Sequence, residues 1–143
     1  MRRFLLAFAA ASAAVAAAPL ASAQTIKAVM HSDVKILDPV FSGAYITRNH
    51  AYMIYDTLFA IDEKLQVKPQ MVDSWTTSDD GLTWTFKLRD GLEWHDGAPV
   101  TAEDCVASIK RWAAKDSLGQ KVMTFVDTIA VGDAKTFTVK LKE

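Results

Sequence analysis

The 143-residue chain carries 16 Lys and Arg against 17 Asp and Glu, a formal net charge of −1, and half of its residues are hydrophobic. So balanced a surface has no basic footprint for nucleic acid, and so many aliphatic and aromatic side chains exclude a disordered chain. Cys105 is the single cysteine, so no intrachain disulfide forms and stability has to come from packing.

The first residues read as an export signal. Arg2 and Arg3 form a short positive region, Phe4 to Ala18 is apolar apart from Ser12, and Ala21-Ser22-Ala23 precedes Gln24. A signal peptidase admits only small side chains at those two alanines, so cleavage between Ala23 and Gln24 is expected. The apolar run is shorter than the ~20 residues of a spanning helix. Phe4 directly after the arginine pair points to the general secretory route and not the twin-arginine one. No cysteine stands at the cleavage site, so no lipid or membrane anchor is expected. Taking Arg2 and Arg3 from the 16 basic residues leaves 14 against 17, a formal net of −3 for residues 24–143, enough chain for one small domain.

In chain order, Thr25 to Met30 suggests a strand, and His31 to Val40 a loop in which Asp38-Pro39 forces extended or turning backbone. Tyr45 to Leu58 reads as a helix, with Ile46, His50, Met53, Ile54 and Leu58 at steps of three and four. Asp62 to Lys64 is a polar break, and Met71 to Trp75 a short half-apolar piece. After the turn signal Asp79-Asp80-Gly81, Leu82, Trp84, Phe86 and Leu88 alternate with Thr83, Thr85, Lys87 and Arg89, the pattern of a half-buried strand. Asp90-Gly91 and His95-Asp96-Gly97 mark further turns.

Thr101 is a strong helix N-cap, with Glu103 and Asp104 where the helix dipole favours negative charge. Ala102, Cys105, Val106, Ile109, Trp112 and Ala113 share one stripe of that helix. A hairpin closes the sequence, Thr128 to Val131 and Thr136 to Lys142 around Gly132-Asp133-Ala134. The expectation is a mixed α/β arrangement whose last strand has nothing after it to cover it, which suggests truncation.

The run from Met71 to Arg111, with Trp75, Asp80-Gly81, Thr83-Trp84-Thr85-Phe86-Lys87-Leu88-Arg89, Trp94-His95-Asp96-Gly97, Pro99, Thr101-Ala102-Glu103-Asp104 and Ser108-Ile109-Lys110-Arg111, closely resembles the signature of the family 5 extracellular solute-binding proteins. Leu37-Asp38-Pro39 and Tyr55-Asp56-Thr57-Leu58-Phe59 are similar to further segments of that family. One departure is Cys105, where the family usually carries valine. The resemblance implies a two-lobed type II periplasmic binding-protein fold, of which residues 24–143 would be the N-terminal part of the first lobe. It implies a periplasmic, monomeric binding component of an ABC importer. Such a protein captures a small solute, most often a peptide, and delivers it to a membrane permease with its ATPase. No cofactor and no enzymatic activity are implied.

Under this resemblance the motif from Trp75 to Asp104 is a folding motif, since turn and cap chemistry accounts for its polar residues. The cleft segment is Ser42-Gly43-Ala44-Tyr45. Gly43 would let a ligand approach closely, and Tyr45 offers a ring and a hydroxyl. The plainer reading of the same residues is a surface loop leading into a helix. His31, His50 and His95 lack metal-ligand spacing, Asp79 and Asp80 point apart on a turn, and Cys105 on the apolar stripe is a structural thiol. Core packing accounts for Trp75, Trp84, Trp94 and Trp112. The competing readings are a periplasmic hydrolase, for which no catalytic cluster is found, and an inactive gene fragment.

Overall fold

A computed structural model describes Thr25 and residues 27–143 of the chain. The export signal and the Ala23–Gln24 cleavage site lie outside the described residues. Of the strand expected over Thr25 to Met30, the described residues are irregular and exposed. Alternation supplies two faces, but a strand exists only where its backbone finds a partner.

From His31 to Glu143 the elements run as helix α1 (Tyr45–Ala51), strands β1 (Phe59–Ile61), β2 (Val67–Pro69), β3 (Val72–Thr77) and β4 (Thr83–Leu88), helices α2 (Ala102–Lys115) and α3 (Ser117–Met123), and strands β5 (Val126–Val131) and β6 (Thr136–Leu141). β1 and β2 form a small hairpin. The other strands make an antiparallel sheet in the order β3-β4-β6-β5. The last strand is therefore central, paired with β4 on one side and β5 on the other. Both of its partners precede it in sequence.

Register shows how the sheet buries its apolar face. Trp75, Phe86, Phe137 and Val131 pair in one row across all four strands. Trp75 and Val131, on the edge strands, are each 45% exposed, while Phe137 in the middle is 1% exposed. Phe86 stacks on Phe137 at 5.1 Å between ring centroids. The neighbouring row, Thr76, Thr85, Thr138 and Ala130, points to the opposite face, as period-two geometry requires. Leu88, Leu92, Ala102, Cys105, Val106 and Phe137 form the core, so α2 lays its stripe on the apolar face.

The start of α2 agrees with the sequence. Thr101 Oγ1 accepts the Asp104 amide and Asp104 accepts the Thr101 amide, a full capping box. The Ala102 amide also donates to Ala134 O at 2.8 Å, which hangs the helix on the β5–β6 turn. The Trp94–Ala98 turn closes as expected, with Gly97 at φ 83° and the Asp96 carboxylate accepting the Ala98 amide.

Two expectations need correction, the length of α1 and the burial of two tryptophans, whereas the Asp62–Lys64 break stands as read. α1 ends at Ala51 and does not reach Leu58. The amides of Met53 and Ile54 turn to carbonyls three residues back, and Met53 is 82% exposed. Two tyrosines and an isoleucine within four positions are weak helix formers, and Met53 and Ile54 stay exposed while Leu58 reaches the core from outside the helix. The Asp62–Lys64 break is the tip of the β1–β2 hairpin, where Asp62 Oδ1 accepts the Lys64 and Gln66 amides. Among the tryptophans, only Trp84 and Trp112 are half-buried. Trp75 and Trp94 are 45% and 46% exposed, because Trp75 stands on an edge strand and Trp94 on a turn.

Two predictions follow from this packing. Phe137→Ala empties the centre of the sheet and lowers unfolding free energy by about 3–5 kcal/mol in denaturant titration, whereas Trp94→Ala costs less than about 1 kcal/mol. Acid is the second test. Asp80 is held below the usual aspartate range by the Ser78 hydroxyl and the Leu82 amide, Asp90 by Lys135, Asp104 by the Thr101 amide and hydroxyl, and Asp133 by the Lys135 amide. Each lowered group contributes stability that is complete above its unfolded value and lost as pH falls through its folded value. Thermal melts therefore hold steady from neutral pH down and drop once pH passes below about 4. Asp104→Asn, which keeps an acceptor but does not titrate, makes that drop shallower.

Candidate functional site

Residues 31–47 build a cleft of about 330 Å³. Ser32, Asp33, Lys35 and Ile36 line it from the segment before Asp38, and Ser42, Ala44, Ile46 and Thr47 from the segment after it. The sequence bends back on itself at Asp38-Pro39. The Asp38 carboxylate accepts the Val40 amide at 3.0 Å, and its carbonyl accepts the amides of Phe41 and Ser42. Ser42 Oγ accepts the Ala44 amide at 3.3 Å, and α1 starts at Tyr45 without a side-chain cap.

The two walls are joined at the base. Thr47, 1% exposed, donates its hydroxyl to Ile36 O at 2.8 Å. A buried hydroxyl has to find an acceptor, and this one finds the carbonyl of the opposite wall. Further out, the Arg111 guanidinium of α2 grips Asp38 with Nη1 at 3.3 Å and Nη2 at 2.5 Å. That contact, ahead of the Val40 amide, lowers the Asp38 pKa and raises that of Arg111.

The four residues singled out in sequence divide between the cleft and its rim. Ser42 and Ala44 line the cleft. Gly43 is exposed, and a Cβ added there would meet nothing within 4 Å. Its φ lies outside the left-handed region, so neither backbone angle nor packing calls for glycine there. Tyr45 is 67% exposed, with the Arg48 guanidinium 4.6 Å over its ring. Sequence reasoning missed Ser32, Asp33, Lys35, Ile36 and Thr47. A threonine on the apolar side of a short helix was the one available signal, and it gives no hint of its partner.

The remaining polar candidates take structural places. Asp80 accepts the Ser78 hydroxyl at 2.5 Å and the Leu82 amide at 2.9 Å, which closes its turn. Cys105 is 6% exposed, and burial followed by the Asp104 charge raises its pKa, so the thiol resists ionisation. His50 is half-buried on α1, and its Nδ1 has no hydrogen-bond partner among the described residues. Among those residues, no three His, Cys, Asp or Glu side chains converge as metal ligands would, and no helix is long and apolar enough to cross a membrane.

Residues 66–143 match the family described as bacterial extracellular solute-binding proteins, family 5 Middle. The chain is 49% identical over 140 residues to a probable peptide ABC transporter periplasmic-binding protein, y4tO, of Sinorhizobium fredii, covering 94% of this chain and 26% of that protein. It is 29% identical over 134 residues to the glutathione-binding protein GsiB of Salmonella typhi, covering 92% and 26%. Among solved structures it is similar to MoaA from Agrobacterium tumefaciens R10 in complex with mannopinic acid. That match has a TM-score of 0.67 and 28% identity over 78% of this chain and 24% of that one. The chain thus spans about a quarter of the length of the relatives it matches.

The joint between the cleft walls is open to test. Thr47→Val keeps the shape, removes the donor and leaves the Ile36 carbonyl unpaired. It lowers stability by about 1–2 kcal/mol in urea titration and speeds amide hydrogen exchange around residue 36.

Proposed function

Because this chain belongs to the bacterial extracellular solute-binding proteins, family 5, we propose that it supplies the N-terminal part of the first lobe of a periplasmic binding component, which captures a small solute, most often a peptide, for an ABC importer. On this reading residues 1–23 are removed on export, with the cut between Ala23 and Gln24. Residues 24–143 then form part of a monomeric binding protein that hands its solute to a membrane permease and its ATPase. Binding and release are its work, and no bond-making step is assigned to it.

The observation that carries the reading is the cleft that Ser42 and Ala44 help line, with Gly43 and Tyr45 at its rim. Gly43 is glycine where neither conformation nor packing needs one, so the absent side chain leaves the backbone open to close approach. Asp33 and Lys35 are among the residues that line the same wall. The name of the Sinorhizobium relative supports the peptide class.

A thermal-shift panel tests it, using the full-length protein from Gln24 onward with di- and oligopeptides, glutathione, neutral sugars and nickel chelates. A ligand that binds only the folded state raises the melting temperature. The expected result is a clear rise with peptides and none with neutral sugars, and a rise that shrinks when Gly43 is replaced by Val. A well-folded protein that no peptide stabilises overturns the proposal.

A further inference from the structure

We infer that Arg111 is a positioning residue for the solute site: its grip on Asp38, across 73 positions of sequence, fixes the turn that carries the rim of the cleft. The inference rests on the reading of residues 42–45 as solute-contacting. Arg111 stands on α2 and is not among the residues lining the cleft; its side chain is 60% exposed, while that of Asp38 is 37% exposed. A pair this open adds little to global stability. Its geometry does something else. The two guanidinium nitrogens meet the two carboxylate oxygens separately, a fork contact that fixes direction as well as distance.

Asp38 is where that direction matters. The same carboxylate holds the Val40 amide, and the same residue's carbonyl holds those of Phe41 and Ser42. Rotation of the Asp38 side chain therefore moves the backbone path into Ser42. The far side of the segment is already tied, since Thr47 holds Ile36 and Ser42 Oγ holds the Ala44 amide. Asp38 is the hinge point between these ties, and Arg111 is its anchor on the helix that packs against the sheet. A rim ordered before binding spares the solute the entropic cost of ordering it.

Arg111→Gln and Asp38→Asn each remove the ion pair, and Asn still offers an acceptor to the Val40 amide. In the full-length protein either change should leave the melting temperature within a few degrees. It should speed hydrogen exchange at Val40, Phe41 and Ser42 while leaving the sheet amides unchanged, and weaken binding of trialanine or glutathione roughly five- to twentyfold. The double variant should be no worse than either single one, because one interaction is lost in all three. Arg111→Lys, which keeps charge without the fork, should recover part of the affinity. Unchanged exchange at residues 40–42 in Arg111→Gln overturns the inference, and so does faster exchange with undiminished affinity. A wild-type protein that binds neither probe overturns the solute reading itself, and the positioning role with it. Wild-type binding that Arg111→Gln matches overturns the positioning role alone.

Discussion

The sheet depends on the double pairing of β6. Its backbone bonds to β4 and to β5, and its Phe137 is the most enclosed large side chain of the apolar face. The turn before it supplies the Ala134 carbonyl that receives the first amide of α2. The helix in turn covers the sheet with Ala102, Cys105 and Val106 and extends Arg111 toward Asp38. A line of contacts thus runs from the middle of the sheet, through one capped helix, to the edge of the cleft. The cleft has little structure of its own and takes its shape from what it is tied to.

The parts legible in sequence were those governed by short-range rules. The alternation of Trp84, Phe86 and Leu88, the Thr101–Asp104 capping box and the turn around Gly132 each state their structure within a few residues. The β1–β2 hairpin and α3 were missed because each is short. Strands of three residues show no period, and the seven residues of α3 include Gly119. α1 was drawn too long because a stripe of apolar residues describes a face, whereas a helix also needs something for that face to cover. The site was half legible. The bend at Asp38-Pro39 and the small residues at 42–44 could be read as they stand. The wall from Ser32 to Ile36 could not, since only the Thr47–Ile36 contact brings it alongside.

The charged residues divide in a similar way. Asp80, Asp96, Asp104, Asp116 and Asp133 each accept a backbone amide within three positions, so they act as punctuation for turns and helix starts. Asp38 does this too, but it also reaches a distant helix. Asp33 and Lys35 do neither and line the cleft instead. Similar carboxylates at similar exposure thus serve different ends, and their hydrogen-bond partners distinguish them where composition does not. In the most recognisable stretch of the chain, Asp80, Asp96 and Asp104 all serve as such punctuation.

The place of β6 has a consequence for the chain as it is made. A strand that follows both of its neighbours in sequence and lies between them in space cannot be supplied until both already exist. β4 leaves the ribosome about fifty residues ahead of β6, a wait of about 3–10 s at ordinary rates of synthesis. Through that interval β3 and β4 can pair only with each other, and the inner edge of β4 stays unoccupied. The nascent chain is then a loose hairpin with open backbone groups, a natural client for holding chaperones.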